Sequence, residues 1–288
     1  MSPASLAIVL SLFSAITVAI TNFTIKRGGD VLTARMIMSI TMAISVLPVA
    51  PFVPLPSASM WPWLLLAVVV HWGYQFCLVR SLHRGDLSLV FPVMRGLGPP
   101  IVAVLAMFTL HEYLRPLGWG GLILATIALI VFAMPEKRDP ESRTLNRSAL
   151  LWAALTAFGI GLYSVTDASV VRRMPSPYTF IVWLFLLDWI GIAVVTCWTR
   201  RGELIRRIRP QLKASVLGGF SGTLSYGAAL YAFTLTDTAL VTALRETSVF
   251  FAALLGVIFL KEGFGLRRTV SAGFLAIGLV LMQIGGSA

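Results

Sequence analysis

The chain has 288 residues, of which 57% are hydrophobic and only 12% charged, and its mean hydropathy is +0.86. A soluble domain carries about 25% charged residues, so a solvated globule is excluded and the chain reads as an all-α integral membrane protein. The formal net charge of +11 does not point to nucleic acid, because the basic residues lie in short connections between apolar runs rather than on one solvated face.

A helix needs about 20 apolar residues to cross a bilayer. Ten such runs follow one another: 5–25, 32–53, 61–80, 87–109, 116–134, 148–171, 178–198, 213–235, 239–260 and 267–285. The first has no positive charge before it and no small-residue cleavage pattern after it, so it is expected to be a span rather than a cleaved signal. Span four contains Pro92, Pro99 and Pro100, which a spanning helix tolerates where neighbours or a water-filled cavity satisfy the freed carbonyls. The most polar stretch, Glu136 to Arg147, separates residues 1–135 from 148–288 as a linker over 136–147. Most of the 23 Lys and Arg residues fall in the odd-numbered connections. The positive-inside rule then places those connections in the cytoplasm and both termini outside an inner (plasma) membrane.

An offset of 150 aligns the two halves. Arg95 falls on Arg245, and Leu110-His111-Glu112 falls on Leu260-Lys261-Glu262. Arg and Glu are rare in apolar runs, so these matches outweigh any Leu or Ala identity. Each half holds five spans, an odd number, so the halves are expected as two inverted five-helix repeats, an arrangement common in secondary transporters.

Ten spans as five plus five, with Leu-x-Glu closing spans four and nine and a Gly-rich span after each, resembles the drug/metabolite transporter superfamily. More narrowly, it is similar to the two-repeat EamA-type permeases. The resemblance covers essentially the whole chain and implies alternating-access transport of a small polar metabolite, usually outward. It does not name the substrate.

Arg95 and Arg245 lie well inside their spans, where a charge costs about 2.5–3.5 kcal/mol on the insertion scale and normally faces a cavity or a partner. Two guanidinium groups from inverted halves could hold a carboxylate, which favours an amino acid or organic acid as substrate. The competing reading makes each arginine the partner of a carboxylate such as Glu246. Asp167 sits on the inward polar stripe of span six, since Ser14, Thr17 and Thr21 map onto Ser164, Asp167 and Val171. Asp167 and Glu246 are therefore candidates for exchanging a proton or forming a charge pair. Trp72, Tyr74, Gln75, Tyr226 and Tyr231 are candidate pocket walls.

His71, His83 and His111 are scattered without metal-ligand spacing, and Cys77 and Cys197 lie singly in apolar runs, so no metal, cofactor or disulfide is expected. No nucleophile elbow or phosphate-binding loop occurs, so the chain does not read as an enzyme. The expected partners are a small-molecule substrate, a proton or counter-substrate, and the lipid bilayer, with one chain supplying both halves of the site. Two alternatives stay open: efflux of cationic drugs through Asp167 or Glu246 and the aromatics, and a membrane scaffold that transports nothing.

Overall fold

In the computed structural model the described residues are 2–26, 30–84, 87–134, 147–251 and 266–286. Among them the regular structure is helical, with no strand. The helices are α1 (Pro3–Lys26), α2 (Val31–Val46), α3 (Trp61–Arg84), α4 (Leu87–Thr109), α5 (Pro116–Ala133), α6 (Arg147–Arg173), α7 (Pro177–Thr199), α8 (Leu204–Ala232), α9 (Thr238–Glu246) and α10 (Leu266–Ile284). A 3-10 turn at Leu47–Phe52 prolongs α2, where Pro48 and Pro51 remove the amide donors that a longer α-helix needs. Pro116 and Pro177 open α5 and α7 at positions where an amide has no partner in any case.

Among the described residues, seven helices are long and apolar enough to cross a membrane: α1, α2 with its 3-10 turn, α3, α5, α6, α7 and α10. In α4 the described apolar stretch is Val93–Thr109. Helix α8 begins nine residues before the predicted span, because Arg206, Arg207 and Arg209 continue the helix outward. Its 29 residues rise about 43 Å, more than the roughly 30 Å hydrocarbon layer. The predicted ninth span is helical to Glu246 and again over 248–251, while 252–260 lie outside the described residues. Large apolar side chains such as Val194, Phe274, Ile277 and Ile123 point outward. Lipid can solvate such a surface, and backbone bonding inside each helix leaves no exposed polar edge.

The chain folds into two compact units that interleave its halves: Met1–Trp72 with Thr166–Thr236, and Gly73–Val165 with Asp237–Ala288. In the first unit α1 packs on α8, and α2 packs on α7 and α8. The polar stripe of α1 faces α8: the Ser14 and Ser225 hydroxyls are 3.1 Å apart, Ser225 Oγ donates to the Ser14 carbonyl at 2.7 Å, and Thr21 Oγ1 donates to the Gly218 carbonyl at 3.3 Å. Ser11 and Thr17 return their hydroxyls to carbonyls one turn back, so no donor is wasted in an apolar setting.

At one end of this unit Asp30 receives Arg200 through Nε at 2.9 Å and Nη2 at 3.0 Å, a two-point fork, and Thr33 Oγ1 at 2.7 Å. Arg207 lies 3.5 Å away. Burial alone would raise the Asp30 carboxyl, but the Arg200 and Thr33 bonds and the charges of Arg200 and Arg207 together hold it below the ordinary value of 3.8. A depressed carboxylate stabilises the fold above its unfolded pKa, and that contribution disappears as pH falls through the folded value. The thermal midpoint of wild type should therefore exceed that of Asp30→Asn at neutral pH and converge with it below about pH 4. A gap that stays constant from neutral to acid pH would count against this assignment.

In the second unit α5 lies along α10, and α4 packs on α5 and α9. Val90, Met94, Ala149 and Ala153 form one buried cluster, and Leu129, Phe132 and Val249 another. Helix α4 ends where His111 takes a positive φ of 57°, which turns the chain so that Glu112 points back. Both Glu112 oxygens are used on the first residue of α9, accepting from Thr238 N at 2.7 Å and Thr238 Oγ1 at 2.9 Å. A carboxylate there satisfies free amide donors and complements the positive end of the helix. The Leu-x-Glu ending of span four is thus a cap for the start of α9. Its counterpart Glu262 lies outside the described residues.

Candidate functional site

Six of the nominated side chains fall into two clusters, one in each unit. In the second unit, Arg95 of α4 meets Glu246 of α9, with Nη1 at 3.1 Å from Oε1 and 3.2 Å from Oε2. The pair is largely buried, with side-chain exposures of 19% and 5%. One guanidinium nitrogen serves both carboxylate oxygens, so this is not the two-point fork that Arg200 makes with Asp30.

Around this pair stand two tyrosines. Tyr74 of α3 and Tyr163 of α6 contact edge to face with ring centroids 4.9 Å apart. Tyr74 lies within electrostatic reach of Arg95, and Tyr163 within reach of Arg95, Arg245 and Glu246. Immediately after Glu246 the helix changes character. Thr247 N bonds the Leu244 carbonyl three residues back, and Phe250 N bonds the Thr247 carbonyl in the same way. The α-helical bonding thus gives way to a 3-10-type turn at Thr247 before the helix resumes. Ser248 Oγ, two residues on, and Ser164 Oγ, next to Tyr163, are buried without a hydrogen-bond partner among the described residues. Buried hydroxyls left open mark a place where water or a polar ligand completes the bonding. Gln75 is buried in this unit as well.

In the first unit Asp167 of α6 has no exposed surface. Its Oδ2 is 2.8 Å from His71 Nε2 of α3 and accepts the Tyr226 hydroxyl of α8 at 2.5 Å. The other nominated aromatics of this unit are held by packing. Trp72 Nε1 donates to the Asp188 carbonyl at 2.9 Å, and its indole lies against Gly191, where a Cβ would come within 2.5 Å of the ring. Tyr231 is paired with Tyr178 at 5.8 Å.

Arg95, Arg245, Glu246 and Tyr74 thus share a neighbourhood, as do Asp167 and Tyr226. Two participants went unnominated. Tyr163 stands four residues before Asp167, one helical turn away, so the stripe that singled out Asp167 already passed through it. His71 lacks metal-ligand spacing, yet any ionisable residue inside an apolar run calls for a partner. Among the described residues no group of three or more His, Cys, Asp and Glu side chains is placed to hold a metal ion.

Comparison with known proteins places this geometry in context. The model of the EamA-like transporter family matches residues 1–134 and, a second time, residues 147–284. A WAT1-related chloroplastic protein of Arabidopsis thaliana is 23% identical over 228 residues, which is 76% of this chain. The chain spans about half the length of that curated relative, 54% of it. A protein of known crystal structure matches over 96% of both chains with a TM-score of 0.76 at 16% identity, a likeness of fold alone.

Proposed function

Because the chain belongs to the EamA-like transporter family, we propose that it is a secondary active transporter that exports a small carboxylate-bearing metabolite, such as an amino acid or organic acid, by alternating access across the inner membrane. The observation that carries this reading is the buried Arg95–Glu246 pair, with Arg245, Tyr74 and Tyr163 about it, at the point where α9 is interrupted. Glu246 occupies Arg95 through a single nitrogen. A substrate carboxylate arriving as a two-point partner competes with it and gains charge-assisted bonds in a dry setting.

The ten-crossing arrangement as two inverted repeats, with odd connections cytoplasmic, belongs to the same proposal. Contacts inside each unit support it. Asp30 and Arg200 join connections one and seven. Arg267, at the start of α10, donates to the Met134 carbonyl at the end of α5, joining connections five and nine. Even connections meet even ones: Glu112 reaches Thr238, and Arg172 Nε donates to the Phe233 carbonyl at 2.7 Å. Each of these pairings has the parity expected of ten alternating crossings.

Thermal stabilisation of the purified protein against amino acids, organic anions and lipophilic cations tests the substrate class. A ligand that binds only the folded state raises stability by about 2.7 kcal/mol at a hundredfold excess over its Kd. Carboxylates should raise the midpoint, and Arg95→Ala and Arg245→Gln should each abolish the shift. A shift given only by cations and surviving both substitutions would replace this reading with cation efflux. If no compound shifts the midpoint and no solute moves in vesicles, the scaffold reading stands instead.

A further inference from the structure

The carboxylate reading leaves one titratable cluster without a task. Asp167 is fully buried, its Oδ2 is shared by His71 and Tyr226, and its Oδ1 has no hydrogen-bond partner among the described residues. A carboxylate oxygen left unbonded away from water is costly, and a proton is the smallest ligand that relieves it. The His71 and Tyr226 rings are T-shaped to each other, 5.6 Å apart at 70°, and Phe185 of α7 lies 6.3 Å from the same tyrosine.

We propose that His71, Asp167 and Tyr226 form a one-proton site that couples proton binding to opening of the first unit, which makes the proton the driving ion of transport. Only the transport role rests on the function proposed above; the site itself can be tested without a substrate. With one mobile proton the cluster is neutral overall, either as imidazolium and carboxylate or as imidazole and carboxylic acid with the proton on Oδ1. Without that proton it is imidazole and carboxylate, a net negative charge in a dry interior. Uncompensated buried charge is strongly disfavoured. Proton loss therefore favours a conformation in which water reaches Asp167, and proton binding favours the closed packing.

Beyond Asp167, Arg35 of α2 and Asp188 of α7 are charged groups within electrostatic reach of His71, and their signs oppose each other. From α1 comes the uncharged Ser14, bonded to Ser225 beside Tyr226. The repeat makes the site single. At an offset of 150, Asp167 corresponds to Thr17 and His71 to Ser221, two hydroxyl residues that cannot take up a proton near neutral pH. The titratable pair, one member from each half, therefore occurs once, and the equivalent positions hold hydroxyls.

The test uses the full chain, purified and labelled at histidine Cε1 for NMR, with His71→Gln identifying the His71 signal. The His71 signal should titrate between about pH 4 and 9. Asp167→Asn should lower its proton affinity about tenfold or more, since it removes a paired opposite charge. Tyr226→Phe keeps the ring and removes a donor to the carboxylate, so it should raise the midpoint. Opening is read in a Cys77→Ser, Cys197→Ser background carrying Ser225→Cys, where the new thiol takes the place of a hydroxyl 1% exposed. Its maleimide labelling, corrected for thiol ionisation with a free thiol, should rise with pH at the His71 midpoint and lose that step in Asp167→Asn.

A His71 signal that does not titrate, a midpoint unmoved by Asp167→Asn, or labelling without a step at that midpoint would each overturn the proposal. A clear titration and step beside a failed ligand panel would instead leave the proton site standing and remove the carboxylate reading.

Discussion

Arg95→Ala should lower the stability of the purified protein by about 3–5 kcal/mol, because it leaves Glu246 buried without the guanidinium it pairs with. Glu246→Ala should cost a similar amount by stranding Arg95. The double substitution Arg95→Leu, Glu246→Leu should recover most of the loss, since two apolar side chains fill the space without a charge to desolvate. Reversible unfolding in a fixed detergent gives the three values, and the double-mutant cycle gives the coupling directly. An exposed pair would behave differently, with singles costing under about 1 kcal/mol and no recovery in the double. That result would remove the dry interior on which the proposed carboxylate exchange depends. The same double variant separates stability from function, because it should fold while failing to respond to carboxylates.

The second large effect is expected where α5 meets α10. A Cβ built on Gly121 would fall 2.5 Å from the Gly278 carbonyl oxygen and 2.6 Å from the Met282 amide nitrogen; one on Gly278 would fall 2.7 Å from both the Ala125 nitrogen and the Gly121 oxygen. These are backbone atoms, so no side chain can turn aside. Small residues let helix backbones approach closely in membranes, where dispersion and polar contacts replace the hydrophobic drive. Gly121→Leu and Gly278→Leu should each cost at least the roughly 1–3 kcal/mol typical of overpacking. Gly120→Leu, at a position where a Cβ meets nothing within 4 Å, should be close to neutral in the same assay. Equal effects at Gly120 and Gly121 would show that the crossing is looser than its geometry implies.

Much of the helical frame was legible because hydropathy acts locally: the runs that became α1, α3, α5, α6, α7 and α10 announce themselves within about twenty residues. Where interior polarity competes with apolar length, the signal weakens. Helix α8 carries Ser215, Gly218, Ser221 and Ser225 toward its neighbours and starts in a basic stretch, so it reads as shorter than it is. The interruption at Thr247 leaves no composition signal at all, because it is a change in bonding partner rather than in residue type. Arg95 and Glu246 could be nominated from sequence because an arginine or glutamate in an apolar run demands an explanation. Their pairing could be suspected, since the duplication places Arg245 opposite Arg95 and Glu246 beside it. The junction of His71 with Asp167 and Tyr226 could not, because it links three helices whose residues are 96 and 59 positions apart. Periodicity reports which face of a helix turns inward, and it does not report which helix waits there.

The interleaving of the two units has a consequence for how the protein is made. The first unit needs α1 and α2 from the beginning of synthesis and α7 and α8 from much later, with Asp30 and Arg200 separated by 170 positions. During insertion the Ser14 hydroxyl and the carboxylate of Asp30 must therefore persist without Ser225 and Arg200, while the intervening helices enter the bilayer. Contacts of such long sequence separation form late and expose the unfinished chain to misassembly. A ribosome stalled after α5 would hold a fragment rather than half a transporter, and membrane quality control would meet that fragment each time translation failed.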